Sequence, residues 1–275
     1  MSDAGDSGPG VVAMDASAGL DANPSSDAST DGPVAAGDAN VDDGGPCADV
    51  PPRECVGTAA FCGELVRFEP AEAEGYVDYP VIDETASNQY RSYARRDVVA
   101  LVQYAAARVA CVTRDDAPTF HPLGLGDMSE ADGSIPGTSG GDPGHPAGTH
   151  TAGTDVDVSY YQLGTADNQI RPVCPVRSGG VDVYHCSAAP TSLDVRRTTL
   201  FFAALAESDQ LRVIGVDGQI GTLVLGDLDA LCAAGTVPAA ACTRLRERLA
   251  FETTDGGLGW FYFHYARATV SFRRP

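Results

Sequence analysis

Residues 144–158 combine histidine, aspartate and glycine residues within one short stretch. His150 and Asp157 are seven positions apart, and His145 precedes His150 by five. Imidazole nitrogen and carboxylate oxygen are both zinc ligands, and a catalytic zinc needs three protein ligands plus an open position for water. A loop histidine followed by a strand aspartate would supply two ligands. The stretch therefore predicts a zinc site whose third ligand comes from elsewhere in the chain.

The segment after His150 alternates between polar and apolar residues. Asp155 and Asp157 fall on one face of the predicted strand, and Val156 and Val158 on the other. This period of two predicts a half-buried strand over 154–160 with its polar face toward the site. Asp155 shares that face, so it either orients a ligand through a hydrogen bond or is solvated.

The rest of the domain must position this strand and the loop before it. Residues 121–153 are rich in Gly, Pro, Asp and Ser, and a loop of that length inside a domain is usually functional. Ser87 is a candidate N-cap for a helix ending at Cys111, because apolar residues recur at helical spacing behind it. Residues 46–87 are predicted to be rich in loops. Further helices are predicted at 198–207, 226–234 and 239–250, and strands at 211–216 and 259–272, with a turn at 217–218.

Helices and strands are mixed without a regular βαβ order. This predicts an α+β fold, with a small antiparallel sheet, flanking helices and long loops. We expect two parts, an acidic Gly/Ala/Ser/Asp tether at 1–45 and a folded domain at 46–275. The first 45 residues carry nine aspartates and no basic residue, too little apolar surface to offset the entropy of ordering. The net charge of -20, without a basic stripe, argues against nucleic-acid binding.

The eight cysteines all follow the acidic segment. Their number is even and their spacings are not those of a zinc knuckle, which predicts four disulfides formed in an oxidising compartment. The pairing does not follow from the sequence. The cysteines indicate export to the periplasm or cell surface, although Met1 begins no secretory leader. We therefore expect a leader to be missing upstream, and any membrane tether to depend on that missing segment.

The block from 126 to 161 resembles the penicillin-insensitive murein endopeptidases, within the lysostaphin-type and D-alanyl-D-alanine zinc peptidases. The resemblance is carried by the sequence GDMS at 126–129, the glycine-rich loop, the spacing His150-x6-Asp157 and the sequence DVDVSYY at 155–161. It extends over about residues 80–275. It implies that His150 and Asp157 bind zinc, and that a His-x-His on a late strand supplies the third ligand and a catalytic histidine.

The last strand of this chain has no His-x-His. In one alignment, His264 takes the position of the second histidine and is the third zinc ligand. In the other, Arg267 and Thr269 occupy the two histidine positions, and His264 matches a histidine further upstream. The polar face formed by Arg267, Thr269 and Ser271 favours the second alignment, because a ligand must lie on the polar face.

The resemblance implies a zinc-dependent peptidase that cleaves peptide cross-links in peptidoglycan. The metal residues are then His150, Asp157 and His264, the one histidine in the right segment. His145, or His264 if it is not a ligand, is the candidate proton-transfer residue, and Arg267 could stabilise an oxyanion or hold a substrate carboxylate. Two alternatives stay open, a degenerate non-catalytic domain that binds cell-wall peptides or another surface ligand, and a purely structural exported domain.

Overall fold

A six-stranded mixed sheet lies at the centre of the structure, which is a computed structural model. Residues 47, 49–68, 76–78, 92–115, 121–141, 143–176 and 184–273 are described. The strands are β1 Leu65–Arg67, β2 Tyr76–Asp78, β3 Tyr93–Arg95, β4 Leu123–Leu125, β5 Asp155–Ser159, β6 Leu211–Gly215, β7 Leu249–Ala250 and β8 Arg267–Phe272. The helices are α1 Ala59–Cys62, α2 Arg96–Val112, α3 Val195–Leu205, α4 Gly218–Ala233 and α5 Ala239–Arg248. The α+β prediction is confirmed.

The large sheet has the order β2-β4-β5-β8-β6-β7, and β1 and β3 form a separate antiparallel pair. The inner pairs of the large sheet are antiparallel, whereas β2/β4 and β6/β7 are parallel. The site strand β5 is therefore an interior strand, held between β4 and β8. All five of its residues are buried. The prediction of a half-buried strand was wrong, because groups from the preceding loop and from β8 surround the aspartates on that face.

The helix predicted from Ser87 to Cys111 begins later than expected. Helix α2 starts at Arg96, and residues 93–95 pair with β1 instead. Ser87 lies outside the described residues. The apolar positions of the helical pattern, among them Val98 and Leu101, are buried as predicted. Pairing between distant strands overrode the local helical preference at residues 93–95.

Helix α4 begins about two turns before the predicted start at 226. Asp217 caps it by accepting a hydrogen bond from the backbone N–H of Gln219, and its other oxygen accepts one from Cys186 N at 2.8 Å. The predicted turn at 217–218 is this helix N-terminus. Asp and Gly are common at turns and at N-caps alike, so the sequence did not separate the two.

The aromatic strand predicted from residue 259 is shorter than expected, since β8 begins only at Arg267. Residues 251–266 instead form an irregular segment packed on the β6–α4 connection. Gly215 lies against the ring of Trp260, where a Cβ atom would overlap it. The Glu252 carboxylate accepts hydrogen bonds from the backbone N–H groups of residues 256, 258 and 260. This segment carries His264 to the beginning of β8.

Four disulfides join all eight cysteines, as predicted. The pairs are Cys47–Cys111, Cys55–Cys62, Cys174–Cys186 and Cys232–Cys242. Such bonds are consistent with an oxidising compartment. None of the described helices is long and apolar enough to cross a membrane. The predicted tether at 1–45 lies outside the described residues.

Candidate metal centre

The loop before β5 turns sharply to place His150 against the sheet. His150 and Ala152 have φ values of 51° and 54°, in the left-handed region that non-glycine residues rarely adopt. Gly153 follows at φ 65°, and a Cβ atom there would lie 2.6 Å from the backbone nitrogen of Arg95. The turn therefore requires glycine at 153, and the strained conformation at His150 is typical of a functional site.

Asp155 holds this turn in place. Its Oδ2 atom accepts a hydrogen bond from the backbone N–H of His150 at 3.1 Å and another from the Thr154 hydroxyl at 2.9 Å. Its Oδ1 atom accepts one from the Ser271 hydroxyl on β8. Of the two roles considered for Asp155, the structure excludes the solvated one, because the residue is buried. Asp155 fixes the backbone that carries His150.

Three of the predicted site residues meet at the end of this turn. One ligand atom from each of His145, His150 and Asp157 lies within 4.8 Å of the others. Over the described ranges, this is the one group of three or more His, Cys, Asp or Glu residues that could hold a metal ion. The rings of the two histidines are 3.9 Å apart between centroids, and His150 Nε2 lies 3.5 Å from Asp157 Oδ1.

Asp127 positions His145 and contacts the site strand. His145 Nε2 lies 2.8 Å from Asp127 Oδ2, and the backbone N–H of Asp157 donates to the carbonyl of Asp127 at 2.9 Å. Metal-bound histidines commonly donate their second ring N–H to a carboxylate, which fixes the tautomer and ring orientation. Asp127 belongs to the GDMS sequence, but no role was predicted for it from the sequence. Its acidic character within that motif was the available signal.

Asp157 is fully buried, and both its oxygens face groups from β8. Its Oδ1 atom accepts a hydrogen bond from the Thr269 hydroxyl at 2.7 Å, and Thr269 is its partner in the strand register. Its Oδ2 atom lies 2.6 Å from Arg267 Nε in an ion pair, although no hydrogen bond of good geometry reaches this oxygen. The polar face predicted for β8 is thus confirmed, and it is directed at the carboxylates of β5.

His264 lies three residues before β8 and is not a member of the three-residue group. Its Nδ1 atom is 2.6 Å from the carbonyl oxygen of Tyr262, and its ring centroid is 5.5 Å from that of Trp260. Burial lowers the pKa of His264, and the nearby Asp157 carboxylate opposes this shift. The structure places a ligand atom of His145 within 4.8 Å of one from Asp157. A ligand role for His264 stays a prediction.

The electrostatics of the group suit a cation. Burial lowers the pKa of His150 despite the opposing effect of Asp157, so the neutral imidazole that can bind a metal is favoured. His150 Nδ1 is buried without a hydrogen-bond partner, and a buried polar atom without a partner calls for an explanation. Two imidazoles and one carboxylate are a ligand set found at catalytic zinc sites. The residues present could therefore hold a metal ion.

Comparisons with known proteins add no family to this picture. No protein-family model matches the chain, and no curated protein matches it. The assignment of a function therefore depends on the geometry of the His145, His150 and Asp157 group.

Proposed function

We propose that this protein is a zinc-dependent peptidase of the murein endopeptidase type, which cleaves peptide cross-links in peptidoglycan. The observation that carries the proposal is the convergence of His145, His150 and Asp157, buried or nearly so, on one point beside β5. The strained turn at His150 and the positioning contacts from Asp127 and Asp155 support it. A purely structural domain would not need three side chains of metal-ligand type gathered in one place.

The three residues divide the work of holding the ion. Asp157 supplies the carboxylate, His150 one imidazole, and His145 the second through the nitrogen that Asp127 leaves free. These three residues would hold the zinc ion, which would supply Lewis-acid polarisation of a carbonyl group and activation of water. His145 therefore enters the proposal as a ligand, where the sequence indicated a proton-transfer residue. His264 is the remaining candidate for proton transfer.

Arg267 is a partly exposed cationic group beside Asp157, within reach of a substrate. Its side chain is 31% exposed, whereas Asp157 is 0% exposed. A guanidinium group is always charged and binds carboxylates and developing oxyanions. We assign to it the binding of a substrate carboxylate or of the scissile carbonyl oxygen. The proposal includes a location in the periplasm or at the cell surface, and the four disulfides are consistent with such an oxidising compartment.

The test measures metal content and hydrolysis on the full chain. Stoichiometric zinc is expected in the purified protein and absent in His150→Ala and Asp157→Ala. His121→Ala is the matched control, because His121 lies outside the three-residue group, and it should keep its zinc. Cross-linked muropeptides should be cleaved by the unmodified chain, and chelation should stop the cleavage. A metal-free protein would refute the proposed metal centre.

A second candidate is a non-catalytic domain that binds cell-wall peptides with the same surface. It is favoured by one observation: Arg267 and Thr269 occupy the positions beside Asp157 where the resemblance implies two histidines. Retention of muropeptides without cleavage, with or without zinc, would select this candidate.

A further inference from the structure

Arg267 places a positive charge beside Asp157, which is also a proposed metal ligand. Its Nε atom lies 2.6 Å from Asp157 Oδ2, and Asp157 is fully buried. An ionised carboxylate removed from water without a partner is strongly destabilising. Without a metal, Asp157 therefore needs another cation beside it. In the described part of the chain, Arg267 is the cation within reach.

The contact is an ion pair rather than an aligned hydrogen bond. Oδ2 accepts no hydrogen bond of good geometry, whereas Oδ1 accepts one from the Thr269 hydroxyl. A metal ion bound to Asp157 beside His150 would lie close to the guanidinium that faces the same carboxylate, and two like charges at short distance repel. The metal and Arg267 therefore compete for the negative charge of one carboxylate.

Of His150, Asp157 and Arg267, only Arg267 has a partly exposed side chain. His150 and Asp157 are 2% and 0% exposed, but the Arg267 side chain is 31% exposed. Asp127 is the other carboxylate whose charge acts on Arg267, so the guanidinium has an anionic neighbour when it leaves Asp157. Displacement of Arg267 thus needs a change of its side-chain conformation and no rearrangement of β5.

We propose that Arg267 is an internal cation that neutralises Asp157 in the metal-free protein and is displaced toward solvent when the metal binds. This inference rests on the metal centre of the proposed function. Arg267 then keeps the site folded without metal and weakens metal binding below what the ligands alone would give. Metal occupancy of this protein would follow the free metal concentration around it.

The experiment compares zinc affinity and metal-free stability in charge variants of the full chain. In Arg267→Gln, zinc affinity measured by competition with a chromophoric chelator should rise at least tenfold, because the competing charge is gone. The melting temperature of the metal-free variant should fall, because Asp157 loses its cation, and zinc should restore it. Arg267→Lys should keep wild-type affinity within a few-fold. Arg267→Met, of similar length and without charge, replaces Arg267→Gln if that variant does not fold.

Arg212→Gln is the matched control. Arg212 lies 3.5 Å from Asp155 Oδ1, and its side chain is 53% exposed. The substitution therefore removes the same charge beside a carboxylate that is not a proposed ligand. Its zinc affinity should stay within about threefold of wild type, since salt and solvent screen an exposed charge.

The outcomes separate this inference from the proposed function. Zinc binding by the wild type that is unchanged or weaker in Arg267→Gln overturns the inference and leaves the metal centre standing. Zinc binding by Arg267→Gln alone overturns both the proposed function and the displacement of Arg267, because Arg267 would then exclude the metal from the wild type. Failure of both proteins to bind zinc refutes the metal centre, and the inference with it.

Discussion

At the scale of single residues, the site depends on carboxylates that hold other groups in place. Asp155 binds the backbone of His150, Asp127 binds the His145 ring, and Asp157 faces Arg267 and Thr269. Each of these contacts joins residues that are distant in sequence or lie across a turn. The geometry of the proposed ligands is therefore set in part by Asp127, Asp155 and Thr269, which are not themselves proposed ligands.

The first prediction concerns Asp155. In Asp155→Ala the His150 turn loses its anchor, so zinc affinity should fall by about 10–100-fold, as is usual when a residue that orients a ligand is removed. Chelator competition measures the change. Asp167→Ala, which removes an exposed carboxylate outside the group, should leave affinity unchanged. An Asp155→Ala protein with wild-type affinity would show that the turn is held without this contact.

The second prediction concerns pH. Burial lowers the pKa of both His150 and His264 below their ordinary value of 6.5 in the folded, metal-free protein. The unfolded chain therefore takes up protons first as the pH falls through 6.5, and folding stability decreases from there downward. Each histidine adds a slope of up to about 1.4 kcal/mol per pH unit. Above pH 6.5 both states are neutral at these residues, and neither histidine adds a pH dependence.

Chemical unfolding of the metal-free protein between about pH 5 and 8 measures this slope, above the range in which most carboxylates titrate. His150→Gln and His264→Gln should each reduce the slope below pH 6.5, whatever their effect on absolute stability. Equal slopes in the wild type and both variants would contradict the prediction.

At the scale of secondary structure, the pairing of β5 with β8 builds the site. The antiparallel register places Thr269 opposite Asp157 and Ser271 opposite Asp155. A shift of the register by one residue would direct the polar side chains of β8 away from both aspartates. The turn that enters β5 is equally constrained, because it must close over β3.

The third prediction tests that turn. Gly153→Ala should destabilise the protein by more than about 1–3 kcal/mol, the cost of a strained backbone alone, because its Cβ atom would also overlap the backbone of Arg95. Gly148→Ala is the matched control: its φ of 87° carries the same conformational strain, but no atom lies within 4 Å of the added Cβ. Urea unfolding measures both free energies. Equal losses would show that packing against β3 is unimportant.

At the scale of the whole molecule, the disulfides close loops of very different lengths. Cys47–Cys111 links the beginning of the described chain to the end of α2 over a sequence separation of 64. Cys55–Cys62 closes a separation of only 7. The longer connection restricts the unfolded chain more, so it should contribute more to stability.

The fourth prediction follows from this difference. Loss of the Cys47–Cys111 bond in a double alanine variant should cost about 4 kcal/mol, and loss of the Cys55–Cys62 bond about 2 kcal/mol, on the chain-entropy relation. Unfolding of each double variant beside the unmodified chain measures the two costs. The reverse order would indicate that native contacts, rather than loop closure, dominate.

Several features could be predicted from local sequence because they depend on neighbours in the chain. The alternation at 154–160 indicated β5, helical spacing indicated the core of α2, and an even set of cysteines indicated disulfides. The spacing of His150 and Asp157 indicated a metal site, with His264 expected as the third ligand and His145 as a proton-transfer residue. Local patterns failed where distant partners decided the structure, as at residues 93–95, which pair with β1, and at Trp260, whose ring packs against Gly215.

The amino-acid sequence by itself determined which chemical groups are present and their order along the chain: two imidazoles and a carboxylate near a glycine-rich loop. Only the tertiary structure decided that His145 approaches Asp157, that Asp127 holds it, and that Arg267 and Thr269 meet the same carboxylate. The reason is physical. Strand register joins Asp157 to β8 residues more than a hundred positions away, and loop closure brings Asp127 and His145 to the same place. Both depend on packing of the whole sheet rather than on local preference.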